Sequence, residues 1–218
     1  MPKVTESYLA SKKDMIIQSA RLVFQEKPLS QITMRDIIAK TGFSQGGIYR
    51  YYSNVDEIFV TAINQATPPN QIDVSIKQLI DSNQSPTYTI SACIQCLGEY
   101  IHALQDTIGG KMLYSLLVMY AFNSEKRDSV IGKLIFHQSL NKAQKHIIKY
   151  VLDNINEGRL NPTVPFHTLL RFTQSSIDGI ANNAAILSME SNEETYIIEQ
   201  FEILAKTLLH FLGLQHES

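Results

Sequence analysis

Apolar residues along this chain recur every three or four positions instead of alternating, and glycine and proline fall mostly between the recurring stretches. That is the pattern of amphipathic helices, not of strands. A first helix is expected over about 11–27, with Ile16, Ala20, Val23 and Phe24 on one face and Pro28 ending it. Thr33 opens the next as the first residue of a capping box with Asp36, and Gly42 closes it. Ser44 caps a third, short helix ending near Tyr52. Asn54, with Glu57 three residues on, starts a fourth through Ile58, Phe59, Ala62 and Ile63.

Pro68-Pro69 cannot continue that helix and marks the expected domain boundary, giving domains over 1–66 and 67–218. Beyond it the periodicity predicts helices near 72–82 and 87–106, then a glycine pair at Gly109-Gly110 and an apolar run from Met112 to Phe122. One long helix is expected from "NSEKRD" to Glu157, stopped by Gly158. Helices over about 166–189 and 193–212 complete an all-α chain.

Composition narrows the class. With 44% hydrophobic and 18% charged residues, the 218-residue chain reads as a soluble globular protein. No run of about 18 apolar residues suggests a membrane span, and no secretory signal is evident, so a cytoplasmic location is expected. The net charge of -2 argues against a general nucleic-acid binder. Its distribution, with a slight basic excess before residue 66 and an acidic excess after it, permits a DNA-facing N-terminal end.

The stretch "TGFSQGGIYRYYSNVDEIF" carries the chemistry. Two short helices joined by a glycine turn describe a helix-turn-helix unit. Ile48 and Tyr52, four apart, can pin the third helix, leaving Gln45, Gly46, Tyr49, Arg50 and Tyr51 on the remaining surface. Gly46 and Gly47 each weaken a helix by about 1 kcal/mol and let the backbone approach a groove. Tyr and Thr hydroxyls bind phosphate oxygens, while Gln and Arg pair with adenine and guanine edges. On pattern alone a glycine turn beside a tyrosine-rich surface explains the stretch as well.

The region from Ile16 to Ile63 resembles the tetracycline-repressor (TetR) family of transcription regulators. The matching residues are Ile16, Ala20 and Phe24, then "ITMRDIIAKTGFSQGGIYRYYSNVDEIF". The resemblance implies an N-terminal three-helix DNA-binding domain and a C-terminal helical ligand-binding and dimerisation domain. It implies phosphate contacts at Thr33 and Tyr49, base-edge positions at Arg35, Gln45 and Gly46, and backbone or groove-wall positions at Arg50 and Tyr51, with Ser44 and Gly47 completing the set. Where the family usually has a lysine opening the fourth helix, this chain has Val55, and Lys12 and Lys13 are candidates to compensate.

The last two helices are apolar on wide faces and rich in small residues such as Gly179 and Ala184. They read either as internal core or, as the family implies, as a homodimer interface placing two recognition helices on a near-palindromic operator. Tyr100, Leu104, Met112, Leu116, Tyr120, Phe136, His137, Phe172 and Asn183 are candidates for an apolar effector cavity, with Tyr120, His137 and Asn183 as polar anchors. The expected function is a repressor released from its operator by a small, largely apolar molecule. Alternatives are a DNA-bound adaptor of the same fold without an inducer, and a metal or redox sensor through Cys93 and Cys96. A helical enzyme or ligand carrier is the third. No phosphate loop, nucleophile elbow or His-Glu-x-x-His run supports an enzyme. No cofactor and no metal are expected.

Overall fold

A computed structural model of the protein describes residues 6–67, 72–105, 107–187 and 196–214, and every regular element among them is helical. The first four helices are α1 (Glu6–Glu26), α2 (Met34–Thr41), α3 (Gln45–Tyr49) and α4 (Val55–Ala66). There follow α5 (Ile72–Asp81), α6 (Pro86–Gln105), α7 (Ile108–Tyr120), α8 (Ser124–Val130), α9 (Ile135–Asn156), α10 (Phe166–Leu187) and α11 (Tyr196–Phe211). No helix among the described residues is long and apolar enough to cross a membrane. The Pro68-Pro69 boundary lies outside the described residues, as does 188–195 between the last two helices.

The N-terminal helices begin and end where their caps dictate. Thr33 accepts a bond from the Asp36 amide, and Asp36 Oδ2 accepts 2.7 Å from the Thr33 amide, a complete capping box. Gly42 closes α2 in the left-handed region at φ 69°, its amide donating to Ile38 O. Ser44 caps α3 by accepting from the Gly47 amide, and Asn54 caps α4 by accepting from that of Glu57. Asp36 gains more than a cap. The Lys27 ammonium 2.6 Å from Oδ1 and two bonds from Thr33 hold its carboxyl well below the usual range, at about 2.

The expected long helix from 124 to 157 is two helices. A 3-10 turn over Ile131–Lys133 leads to an extended Leu134 at ψ 126°, and α9 starts afresh at Ile135. The physical reason lies on α4. Asn64 donates from Nδ2 to Lys133 O at 3.2 Å and accepts at Oδ1 from the Ile135 amide at 2.9 Å. One side chain thus satisfies backbone groups that an unbroken helix would have satisfied internally. The glycine pair also differs from expectation. Gly109 and Gly110 lie in the first turn of α7, where Thr107 accepts from the Gly110 amide at 2.9 Å.

The chain divides into two compact units: Met1–Thr67 with Thr107–His137, and Pro68–Asp106 with Gln138–Ser218. The segment 107–137, assigned from sequence to the second domain, therefore packs with the N-terminal helices. Gly109 shows why it does so closely, since a Cβ there would fall 2.0 Å from the Ala66 Cβ. The core of the first unit gathers Ile16, Ile17 and Ala20 from α1, Ile37, Ile48, Phe59 and Ile63 from α2 to α4, and Met112 and Leu116 from α7.

In the second unit α6 packs along α11. A Cβ on Gly98 would meet Phe201 Cγ at 2.7 Å, so absence of a side chain sets how near the two helices come. Ile197, Phe201, Leu204, Ala205 and Leu208, the apolar row of α11, are buried within this unit. Phe172 and Ile186 on α10 and Ile203 on α11 stay exposed.

Two stability measurements test this account. Gly109→Ala should lower stability by about 1–3 kcal/mol through overpacking, and Ala66→Gly in that background should restore part of the loss. Melting temperatures of the three proteins decide, and an unshifted Gly109→Ala contradicts the close approach. Asp36 titrates near 3.9 when unfolded and near 2 when folded, so its contribution is full above about pH 4 and disappears as pH falls through about 2. Asp36→Asn should therefore melt below the parent protein at pH 7, with the gap closing between about pH 4 and pH 2. A gap constant over that range rules the linkage out.

Candidate nucleic-acid interface

α2, the Gly42 turn and α3 form the helix-turn-helix. At five residues α3 is too short to stand alone in water. Packing holds it: Ile48 is wholly buried and Tyr52 nearly so, as their four-residue spacing requires. The regular helix ends at Tyr49, earlier than expected, but the Tyr51 and Tyr52 amides still donate to Ile48 O at 2.9 and 3.2 Å. The turn thus continues to the residue that anchors it. Burial pushes the Tyr52 hydroxyl pKa up.

With Ile48 and Tyr52 inward, the rest of the segment faces out. Ser44, Gln45, Gly46 and Arg50 are exposed, Tyr49 is 45% exposed, and Gly47 and Tyr51 are half-buried. Thr33 and Arg35, at the start of α2, are exposed as well. All nine residues proposed from sequence for DNA contact therefore belong to one short stretch of the first unit, seven of them at its surface or nearly half exposed. A Cβ on Gly46 would meet nothing within 4 Å, whereas one on Gly47 would lie 3.1 Å from Ser44 Oγ.

Two of the polar groups are partly committed. The Thr33 hydroxyl donates to Asp36 Oδ2 at 2.6 Å, and Ser44 Oγ accepts from the Gly47 amide at 3.2 Å. Each hydroxyl oxygen keeps capacity for a further bond. Among the described residues Arg35 and Arg50 make no ion pair, so both guanidinium groups are available to an incoming anion.

Val55 at the start of α4 is half-buried and offers no charge. Lys12 reaches the helix-turn-helix from α1: its ammonium lies 5.0 Å from the Phe43 ring centroid and 5.4 Å from that of Tyr8. That cation stands beside the turn before α3. Lys13 is exposed on the same helix.

Sequence reasoning missed Lys126 and the role of Asp56. Asp56, one residue into α4, is only 8% exposed. It accepts from Tyr120 Oη at 2.6 Å and from Lys126 Nζ at 2.5 Å. These partners lie 64 and 70 positions away, so no local pattern signals them.

The nine effector candidates divide between the units. Met112, Leu116, Tyr120, Phe136 and His137 belong to the first; Tyr100, Leu104, Phe172 and Asn183 belong to the second. Leu104, Met112 and Leu116 are fully buried, Tyr100 and Phe136 nearly so, and Phe172 and Asn183 are exposed. The hydroxyl of Tyr120 is taken by Asp56, and burial together with that carboxylate pushes its pKa up. A cavity of about 80 Å³ lies within the second unit, between α6, α9 and α10. None of the nine lines it; Ile94, Leu97, Leu140, Ile147 and Ile177 do, with Gln144 and Gln174 as polar members. Gln144 Nε2 donates to Gln174 Oε1 at 3.2 Å, and Gln174 Nε2 donates to Asp178 at 2.9 Å.

Cys93 is buried in α6, and burial pushes its thiol up to about 12; Cys96 is raised by burial and by the charge of Glu99. Both stay protonated at neutral pH, which suppresses thiolate chemistry.

Comparison with known proteins agrees with this geometry. Residues 16–62 match the family model for bacterial regulatory proteins of the tetR family. Over 210 residues, 95% of this chain and 97% of the relative, the sequence is 26% identical to YfiR of Bacillus subtilis, an HTH-type transcriptional regulator. It is 20% identical over 173 residues, 79% of this chain and 78% of the relative, to the HTH-type transcriptional repressor KstR2 of Mycolicibacterium smegmatis. Among solved structures, the fatty acid degradation regulator FadR of Bacillus halodurans shares the fold. Its TM-score is 0.58 at 13% identity, over 89% of this chain and 94% of that one. FadR of Bacillus subtilis in complex with stearoyl-CoA does so at a TM-score of 0.57 and 15% identity, over 94% and 98%. The helix-turn-helix thus lies inside the match to the tetR family of bacterial regulatory proteins, and over nearly its whole length the chain is similar to an HTH-type transcriptional regulator.

Proposed function

We propose that the protein is a homodimeric repressor that binds a near-palindromic operator and is released by a small, largely apolar molecule. The observation that carries the DNA half is the division of α3: Ile48 and Tyr52 buried, Gln45, Gly46, Tyr49 and Arg50 outward. In this reading Thr33, Ser44, Tyr49, Arg50 and Tyr51 contact the DNA backbone and groove wall. Arg35, Gln45 and Gly46 stand nearest base edges, where Gly46 and Gly47 let the main chain approach. Residues 1–66 serve as the DNA-binding domain and 67–218 as the effector-binding and dimerisation domain, acting in the cytoplasm.

Dimerisation uses the exposed apolar residues Phe172 and Ile186 of α10 and Ile203 of α11. A two-fold pair would place the two α3 helices in successive major grooves. For the effector, the apolar lining between α6, α9 and α10 supports a largely apolar ligand. Of the nine residues named from sequence, all but Tyr120, whose hydroxyl donates to Asp56, remain candidates alongside it. KstR2 is a repressor and the Bacillus subtilis FadR structure holds stearoyl-CoA, which supports the repressor and apolar-effector readings. An effector releases DNA only by binding the DNA-incompetent state more tightly than the competent one.

Titrations against a panel of duplexes test the assignment. Arg35→Ala should weaken binding by about 1–3 kcal/mol and relax base preference at one position of the half-site. Tyr49→Phe should weaken every sequence alike, as loss of a phosphate contact does. If both variants bind like the parent protein, the interface is misplaced.

A further inference from the structure

Asp56 raises a question that the DNA-contact surface does not answer. A carboxylate covered to 92% is costly unless it is paired and hydrogen-bonded. Position near the α4 N-terminus helps, but both of its oxygens also have donors from the segment 107–137. Tyr120, at the end of α7, donates from Oη to Oδ1 at 2.6 Å. Lys126, in the first turn of α8, donates from Nζ to Oδ2 at 2.5 Å. The same ammonium lies 5.9 Å from the Tyr120 ring centroid, and the Lys126 amide donates to Asn123 Oδ1 at 3.0 Å. Three helix termini therefore meet at one carboxylate.

The triad stands directly behind the DNA-contact stretch. A cleft of about 390 Å³ is lined by Tyr51, Tyr52 and Asn54 from the α3–α4 connection together with Asp56 and Lys126. Beside Asp56, Asn54 caps the Glu57 amide at 3.0 Å and Glu57 Oε2 accepts from the Ser53 amide at 2.8 Å. Those bonds are local and hold the turn to α4. The bonds of Asp56 instead reach from the start of α4 to α7 and α8. The segment bearing Tyr120 and Lys126 is joined by the chain to the second unit at both of its ends.

We propose that Tyr120 and Lys126 are positioning residues for DNA binding: through Asp56 they fix where α4 begins, and with it the stance of Tyr49, Arg50 and Tyr51. This rests on the DNA-binding reading above and extends it to residues that touch no DNA. Tyr120, whose hydroxyl is spent on Asp56, is thereby moved from effector anchor to relay. Lys126, whose charge Asp56 balances, acts without contacting phosphate. A shift at the α7 C-terminus or the α8 N-terminus reaches the start of α4 directly through two hydrogen bonds.

The test uses the full-length protein and the duplex it enriches from a random-sequence pool. Tyr120→Phe and Lys126→Met should each weaken binding to that duplex by about tenfold, and together by little more than either alone, because they act through one carboxylate. The dependence of affinity on salt should keep its slope, and Lys126→Arg, which preserves the pair, should restore affinity to within about twofold. Hydrogen exchange on the free protein should show lost protection at the Ile58–Val60 amides in the two weakened variants. Lys126 is 45% exposed, so its replacement leaves the core intact.

Three results would overturn the proposal. The first is unchanged affinity with only a lower melting temperature, which marks a purely structural triad. The second is a salt slope reduced by about one unit in Lys126→Met, which marks a direct phosphate contact. The third is unchanged exchange at the start of α4. If the parent protein enriches no duplex, the DNA-binding reading fails instead, and the exchange measurement alone decides whether the triad holds α4.

Discussion

Burial of Ile48 and Tyr52 is the constraint on which the molecule's working surface depends. A five-residue helix has no stability of its own, since a single turn costs more backbone entropy than its few hydrogen bonds return. It exists because two side chains four positions apart are drawn into a core already shaped by Ile16, Ile37 and Phe59. Once those two are inside, Gln45, Gly46, Tyr49 and Arg50 are left facing water, with Gly47 and Tyr51 half-buried between the two sides. The Ser44 cap and the left-handed Gly42 fix the angle of entry. Exposure of Gln45, Gly46, Tyr49 and Arg50 is thus a consequence of packing, and the recognition chemistry proposed for them sits where packing leaves room.

That logic explains why the N-terminal part was legible in the sequence. Caps, a capping box, a C-terminal glycine and a four-residue apolar spacing are all local, and together they place α2, α3 and α4 to within a few residues. The break between α8 and α9 was not legible, because its cause is Asn64, some seventy positions earlier. Helical periodicity runs through 124–157 without interruption, and Gly132 alone is a weak stop signal. Satisfying the freed backbone groups from a distant side chain is a tertiary event that overrides local preference. The same holds for Asp56, which reads from sequence as an ordinary first-turn acid and in the fold joins α4 to α7 and α8.

The candidate effector residues were legible only as composition. Buried apolar residues of a helical bundle look alike whether they line a cavity or fill one. Leu104, Met112 and Leu116 were picked by the same criterion that would have picked Ile94, Leu97 and Ile147, and only the fold separates the two sets. Tyr120 shows the converse: a lone hydroxyl in an apolar run suggests a ligand anchor, and in the fold that hydroxyl donates to an internal carboxylate. Polar atoms in a core find partners wherever the fold supplies them, and sequence does not show which partner is nearest.

Glycines sharpen the distinction between residues kept for packing and residues kept for something outside the chain. Gly109 and Gly98 stand where a Cβ would collide with Ala66 and Phe201, so the fold itself demands them. Gly42 is demanded by its positive φ. Gly46 has neither reason: its backbone is ordinary helix and its missing Cβ would meet empty space. Alanine there would stabilise a helix by about 1 kcal/mol, and nothing within the molecule opposes it. What opposes it must approach from solvent and need the room a side chain would occupy. Gly179, exposed within α10 with nothing near its missing Cβ, satisfies the same condition on a face whose Phe172 and Ile186 remain uncovered. Gly46 and Gly179 thus stand on the two surfaces proposed here to meet a partner, a duplex at α3 and a second copy of the chain at α10.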